Sequence, residues 1–150
     1  MTTIAEKVFA FILEDKQAHQ EILRGIPPEK KTAVIGRKGR LYISGPEGGI
    51  FTVRLTPVGI FTENDDSDIR NEISMTDDTL IEILVWLTDD PHDPGLSPRA
   101  ARSRGLIKFR GDRVLYDSEE IFHALEEYAF TKMKPIAKAA VEGMKRGSDI

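Results

Sequence analysis

Residues 69–112, IRNEISMTDDTLIEILVWLTDDPHDPGLSPRAARSRGLIKFRGD, decide the fold. They predict a strand, an almost wholly apolar helix, an arginine-rich loop and a second strand. Ile69, Ile73 and Met75 alternate with Arg70, Glu72 and Ser74, the period of a strand with one wet face. Thr76 offers a hydroxyl N-cap, and Asp77 and Asp78 put carboxylates in the first turn, where the helix dipole favours them. From Leu80 to Leu87 there is one charge in eight residues. A helix resting on a sheet needs only an apolar stripe, whereas one that is apolar nearly all round must be covered on both sides. The second cover is another layer of this chain, a partner, or a bound apolar ligand. Asp89 to Pro98 holds three prolines and one glycine and reads as loop. In Leu106 to Arg110, Ile107 and Phe109 then alternate with Lys108 and Arg110.

Upstream, Leu41–Ser44 and Ile50–Thr56 are strand candidates around the turn cluster Gly45-Pro46-Glu47-Gly48-Gly49. Ala33–Ile35 either lengthens the first of these or pairs separately. Phe51, Val53 and Leu55 alternate with Thr52, Arg54 and Thr56, Pro57 ends the run, and Val58–Thr62 is a short third strand. With the acidic loop Glu63–Asp68 and the strand at 69–75, these form an expected antiparallel meander. Thr3 and Glu6 have capping-box spacing and open a helix expected to reach about Arg24. Asp117 and Glu120 are candidate caps for a long last helix. Its stripe is Phe122, Leu125, Ala129, Met133, Ile136, Ala140 and Met144, and Pro135 should kink or split it. The whole reads as one α+β domain over 1–150, a mostly antiparallel five-stranded sheet with helices packed on one face.

The chain has 150 residues, 40% hydrophobic and 31% charged, which excludes a disordered or membrane-spanning class. No apolar run approaches the roughly 18–20 residues of a bilayer span. Glu6 and Lys7 interrupt any signal-peptide pattern, and Ser148-Asp149-Ile150 is no peroxisomal tail, so a cytoplasmic protein is expected. With no cysteine, disulfides, thiolate nucleophiles and cysteine zinc sites are excluded. His19, His92 and His123 have no helical partner at metal-ligand spacing, so no metal is expected. There is no Gly-x-Ser-x-Gly elbow, and Gly36-Arg37-Lys38-Gly39 is turn-like and matches no phosphate-binding fingerprint. His123 and Glu72 are the only side chains worth checking for acid–base work. The net charge of −4 and the scarcity of aromatics near the basic residues argue against nucleic acid. Six cations, Arg99, Arg102, Arg104, Lys108, Arg110 and Arg113, fall within fifteen residues.

Two passages carry a family resemblance. Asn71-Glu72-Ile73-Ser74-Met75-Thr76-Asp77-Asp78-Thr79-Leu80 resembles the strand, Met-Ser/Thr, acidic, helix passage of the sterol carrier protein family. Gly105-Leu106-Ile107-Lys108-Phe109-Arg110-Gly111-Asp112 is similar to its glycine, apolar–basic strand, glycine–aspartate passage. The strand pair with Phe51-Thr52-Val53 and Gly59 fits the same family, and the order of elements matches over about 41–127. The loop Thr88–Arg104 departs from the family in length and in its prolines and arginines. The resemblance implies a sheet covered by helices, with a hydrophobic tunnel between them that holds a lipid, and a protein that binds or transfers rather than catalyses.

The residues expected against such a ligand are Phe51, Val53, Ile73, Leu84, Trp86, Leu87, Ile107, Phe109, Phe122, Leu125 and Met133. Arg99, Arg102 and Arg104 are expected to meet its head group or an anionic membrane, where each basic residue contributes about 1 kcal/mol. The partner is thus a lipid, fatty acyl or sterol-like molecule, with no cofactor. A competing reading treats the apolar helix as an interface to a partner chain, including a second copy in a homodimer. Burying each large apolar side chain is worth roughly 1.5–3 kcal/mol in either case, so energetics alone do not choose between core and pocket.

Overall fold

The computed structural model describes residues 2–65, 67–111 and 119–148. Three helices come first: α1 (Ile4–Glu14), α2 (Lys16–Gly25) and α3 (Pro28–Val34). The Thr3 hydroxyl accepts from the Glu6 N–H at 3.1 Å and donates to the Gly48 carbonyl at 2.8 Å, so one residue caps α1 and fastens it to a sheet turn. The single helix expected from Thr3 to Arg24 is divided at Asp15. Its backbone leaves the helical region, at φ −88° and ψ 80°, while its carboxylate accepts from the Ala18 N–H and caps α2. Helix α3 replaces the strand extension considered for Ala33–Ile35, because Pro28 stands in the first turn, where its missing N–H costs nothing.

The sheet contains β1 (Lys38–Ser44), β2 (Gly49–Thr56), β3 (Gly59–Thr62), β4 (Ile69–Thr76) and β5 (Lys108–Gly111), in the order β3-β2-β1-β4-β5. The α+β class and the five strands agree with the sequence reading. The expected meander does not: β4 lies beside β1 and runs parallel to it, so the sheet is mixed, with three antiparallel ladders and one parallel. The acidic loop carries the chain back over β2 and β1 because basic side chains wait beneath it. Lys38 Nζ donates to the Asp65 carbonyl, the Asp65 carboxylate and the Ser67 carbonyl at 3.1–3.2 Å, and Arg54 pairs with Glu63 at 2.6 Å. Those bonds leave Lys38 only 8% exposed.

Alternation along the strands separates two faces. Leu41, Ile43, Phe51, Ile73, Met75 and Phe109 join the hydrophobic core on one of them. On the other, Arg40 pairs with Glu72 at 2.6 Å beside exposed Tyr42 and Ile50.

Helix α4 (Asp77–Thr88) is the apolar helix of the sequence reading. The Thr76 hydroxyl accepts from the Thr79 N–H at 3.2 Å, as its spacing predicts, and the helix ends where Asp89 turns left-handed at φ 58°. Both of its sides are covered within this chain, by β1 and β4 on one side and by the last helix on the other. Gly95, at φ +64°, lets the following loop lie against α4: a Cβ there would sit 2.4 Å from the Trp86 nitrogen. The segment then forms a short helix, α5 (Pro98–Ser103), capped by the Ser97 hydroxyl on the Ala100 N–H.

Two helices, α6 (Glu119–Lys132) and α7 (Lys134–Ser148), complete the described chain. Pro135 has no N–H to return to the carbonyl one turn earlier, which divides the expected long helix at Met133. The expected capping by Asp117 and Glu120, and Asp112 and Arg113, lie outside the described residues or side chains.

Candidate functional site

Between the core face of the sheet and helices α2 and α6 lies an apolar cavity of about 210 Å³. Its wall comes from strand residues Gly39, Leu41, Val53, Leu55, Ile60, Asn71 and Ile73, with Ile22 and Ile26 at α2 and Leu125 on α6. Arg37, Lys38 and Arg40 also contribute to the lining. Gly39 makes the hollow. It sits on the core face, opposite Val53 of β2 and Asn71 of β4, where every neighbouring strand presents a side chain. A Cβ there would meet only the Asn71 carbonyl oxygen, at an ordinary 3.6 Å, so the space over the glycine is open. The ladder is also irregular between Lys38 and Gly39, which suits a glycine in a strand.

His19 fixes the wall on the α2 side. It is fully buried, and its Nε2–H donates to the Ile12 carbonyl at 2.6 Å. Its Nδ1 accepts from the Ile60 N–H at 3.2 Å. β3 is an edge strand, so this bond occupies a donor that the ladder leaves open. The same bond holds α2, which carries Ile22, against β3, which carries Ile60.

Of the eleven side chains expected around a ligand, Val53, Ile73 and Leu125 line this cavity. Leu84, Leu87, Ile107 and Met133 are buried in the core cluster, where Leu84 is 0% exposed. Phe51 packs against that core and stacks on Phe9 with ring centroids 4.3 Å apart. Trp86 turns to the far side of α4 and meets Phe130 at 5.6 Å. Phe109 and Phe122 lie under the Arg102 guanidinium, at 5.6 and 4.9 Å. Arg99 also faces Phe122 and pairs with Glu126 at 3.0 Å, and Arg104 is exposed at the end of α5. None of these three arginines lines the cavity.

Polar chemistry stands elsewhere. Glu72 is on the outer face of the sheet, and His123 is exposed beside Glu127 at 3.5 Å. Among the described residues no three His, Asp or Glu side chains gather as a metal site. Burial pushes the Tyr128 phenol up to about 12, helped by the charges of Asp15 and Glu21. Asp65 falls to about 2, chiefly because Ser67 donates to it twice, with Lys38 adding to the effect. No helix among the described residues is long and apolar enough to cross a membrane.

Ile22, Ile26, Gly39, Leu41, Leu55, Ile60 and Asn71 are cavity residues that the sequence reading does not single out. The pairing of β1 with β4, which brings Asn71 and Ile73 to Gly39, has no local signal in the chain. Only the apolar alternation of Leu55 with Val53 points inward.

No protein-family model matches this chain. No curated protein matches it. Among solved structures it is similar to a UbiJ-SCP2 ubiquinone synthesis protein, at 15% identity over 81% of this chain and 94% of that one, with a TM-score of 0.47. It is similar to a sterol carrier protein 2 at 18% identity, over 81% and 97% of the two chains and with a TM-score of 0.47. It is also similar to sterol carrier protein 2 like 2 from Aedes aegypti, at 17% identity over 81% and 94%, with a TM-score of 0.41. These solved structures are described as sterol carrier protein 2 or SCP2 proteins.

Proposed function

We propose that this protein binds the apolar chain of a lipid in the cavity under α2 and α6, without catalysing a reaction on it. The cavity itself carries the reading. An apolar space of about 210 Å³ left unfilled costs a fold at most about 5 kcal/mol, at roughly 24 cal/mol per Å³. A methylene takes about as much room as a water, ~30 Å³, so the space suits roughly seven of them. Each buried methylene contributes about 0.8 kcal/mol, a driving force that needs no directional group. The volume lies below the roughly 300–1,000 Å³ of pockets that enclose drug-sized ligands. It therefore favours a single acyl segment over a ring system.

The alternative, a partner chain docked on the apolar helix, loses its motivating feature, because sheet and α7 already cover α4. The test is mass spectrometry of the purified protein, native and after organic extraction, followed by titration with n-alkyl ligands of increasing length. Affinity should rise about fourfold per methylene and level off near seven. No bound lipid together with no uptake at any length would refute the proposal.

A further inference from the structure

A polar groove of about 330 Å³ lies along the seam between α2 and α6. Glu21 and Arg24 on α2 and Glu127 and Thr131 on α6 are exposed along it, with buried Ile22 and Tyr128 completing its wall. The apolar cavity lies between the same two helices and the sheet. Among the described residues, Ile22 alone lines both spaces. It is 5% exposed, so one side chain stands between the two. That side chain is held in place. His19, one turn earlier on α2, is bonded to the Ile12 carbonyl and the Ile60 N–H, and Ala18 on the same helix face is fully buried. A β-branched residue in a helix also has one strongly preferred χ1 rotamer, which makes Ile22 a stiff partition.

We propose that Ile22 sets the length of alkyl chain the cavity accepts, by closing it off from the groove. The inference rests on the acyl-binding reading above and adds the residue that ends the chain. The chemistry changes across that residue. On the cavity side, Ile26, Leu41, Val53 and Ile73 let each methylene leave water. On the groove side, a methylene would lie among two carboxylates and a guanidinium that stay hydrated, and would gain little. A chain longer than the roughly seven methylenes the cavity suits therefore finds no apolar continuation past Ile22.

The experiment measures affinity for n-alkanols of increasing length on the intact protein and on Ile22→Val and Ile22→Ala, with thermal denaturation confirming that each is folded. Valine removes one carbon and alanine three, so the length at which affinity levels off should move from near seven methylenes to about eight and about ten. Decanol should then bind Ile22→Ala roughly fiftyfold more tightly than heptanol does, at about fourfold per methylene, where wild type binds the two alike. The chain has no cysteine, so Thr131→Cys places a single thiol in the groove. Dodecanol should slow alkylation of that thiol in the Ile22→Ala background and leave it unchanged where Ile22 is intact. Ile26→Ala is the control: Ile26 lines the cavity and not the groove, so truncation there should make room without protecting the thiol. A levelling length unmoved in both Ile22 variants would overturn the inference and leave the acyl reading standing. A longer reach with the thiol unprotected would also overturn it, because the space gained would not lead to the groove. Where Ile22→Ala does not fold, the one-methylene step in Ile22→Val decides. Uptake of no alkanol by the wild type would overturn both readings.

Discussion

Replacing Gly39 by valine should strengthen the fold and weaken ligand binding. The glycine is in a strand, φ is not positive, and a Cβ would find its nearest contact at 3.6 Å, so the backbone accepts the change. Removing a mid-strand glycine is worth roughly 0.5–1 kcal/mol in backbone entropy. The three added carbons enter an apolar space that now lacks them, at about 0.8 kcal/mol each if fully buried. Since the cavity is open to solvent, a net stabilisation of about 1–2 kcal/mol is expected. That corresponds to a rise in Tm of roughly 2–8 °C for a chain of this size. The same three carbons take the place of about three methylenes of ligand, so an alkyl ligand should lose roughly fiftyfold in affinity. Thermal denaturation and displacement of a fluorescent fatty acid read the two effects on one sample. A lower Tm would refute the claim that Gly39 floors an open space. A higher Tm with unchanged binding would show that the ligand sits elsewhere.

Leu84→Ala should do the reverse, because Leu84 is fully buried in core and does not line the cavity: a loss of roughly 3–5 kcal/mol in urea denaturation, with ligand affinity kept in the folded fraction. His19→Phe leaves the Ile60 N–H without a partner, at about 1–3 kcal/mol, while the Ile12 carbonyl keeps only the Asp15 N–H at 3.3 Å, and hydrogen exchange at the Ile60 amide should speed up before that of the central strands. Tyr128 holds its proton to about 12 when folded against 10 for the free phenol. Its contribution to stability is therefore whole below pH 10 and is lost as the pH climbs toward 12. Alkaline titration of phenolate absorbance in wild type and in Tyr128→Phe should isolate that late step, and its absence from the difference would refute the burial argument.

The sequence makes the local elements legible because their signals are local. Thr76 and Thr3 cap the helices their spacing assigns them, and the alternation of Phe51, Val53 and Leu55 turns those residues to the core face. Asp15 misleads because the polar stretch Asp15–Gln17 looks like the wet side of one long helix. In fact its carboxylate stops one helix and caps the next. The parallel pairing of β1 with β4 depends on Lys38 meeting Asp65 and Ser67, some thirty residues downstream, and periodicity carries no information at that range.

The two halves of the candidate site differ in legibility for a related reason. A run such as Leu80–Leu87 announces that something must cover it, and the cover turns out to be the sheet on one side and α7 on the other. A cavity is the opposite kind of feature, since it exists where cover is missing. Here it needs one absent side chain, at Gly39, set between Val53 and Asn71 by two different ladders. In the sequence Gly39 reads as the end of a turn-like Gly-Arg-Lys-Gly motif. Only Gly36 is part of the turn, at φ +82°, and Gly39 is strand. The apolar helix that dominates the sequence therefore builds the framework, and the space for the proposed ligand comes from a glycine whose meaning is set by the strands on either side of it.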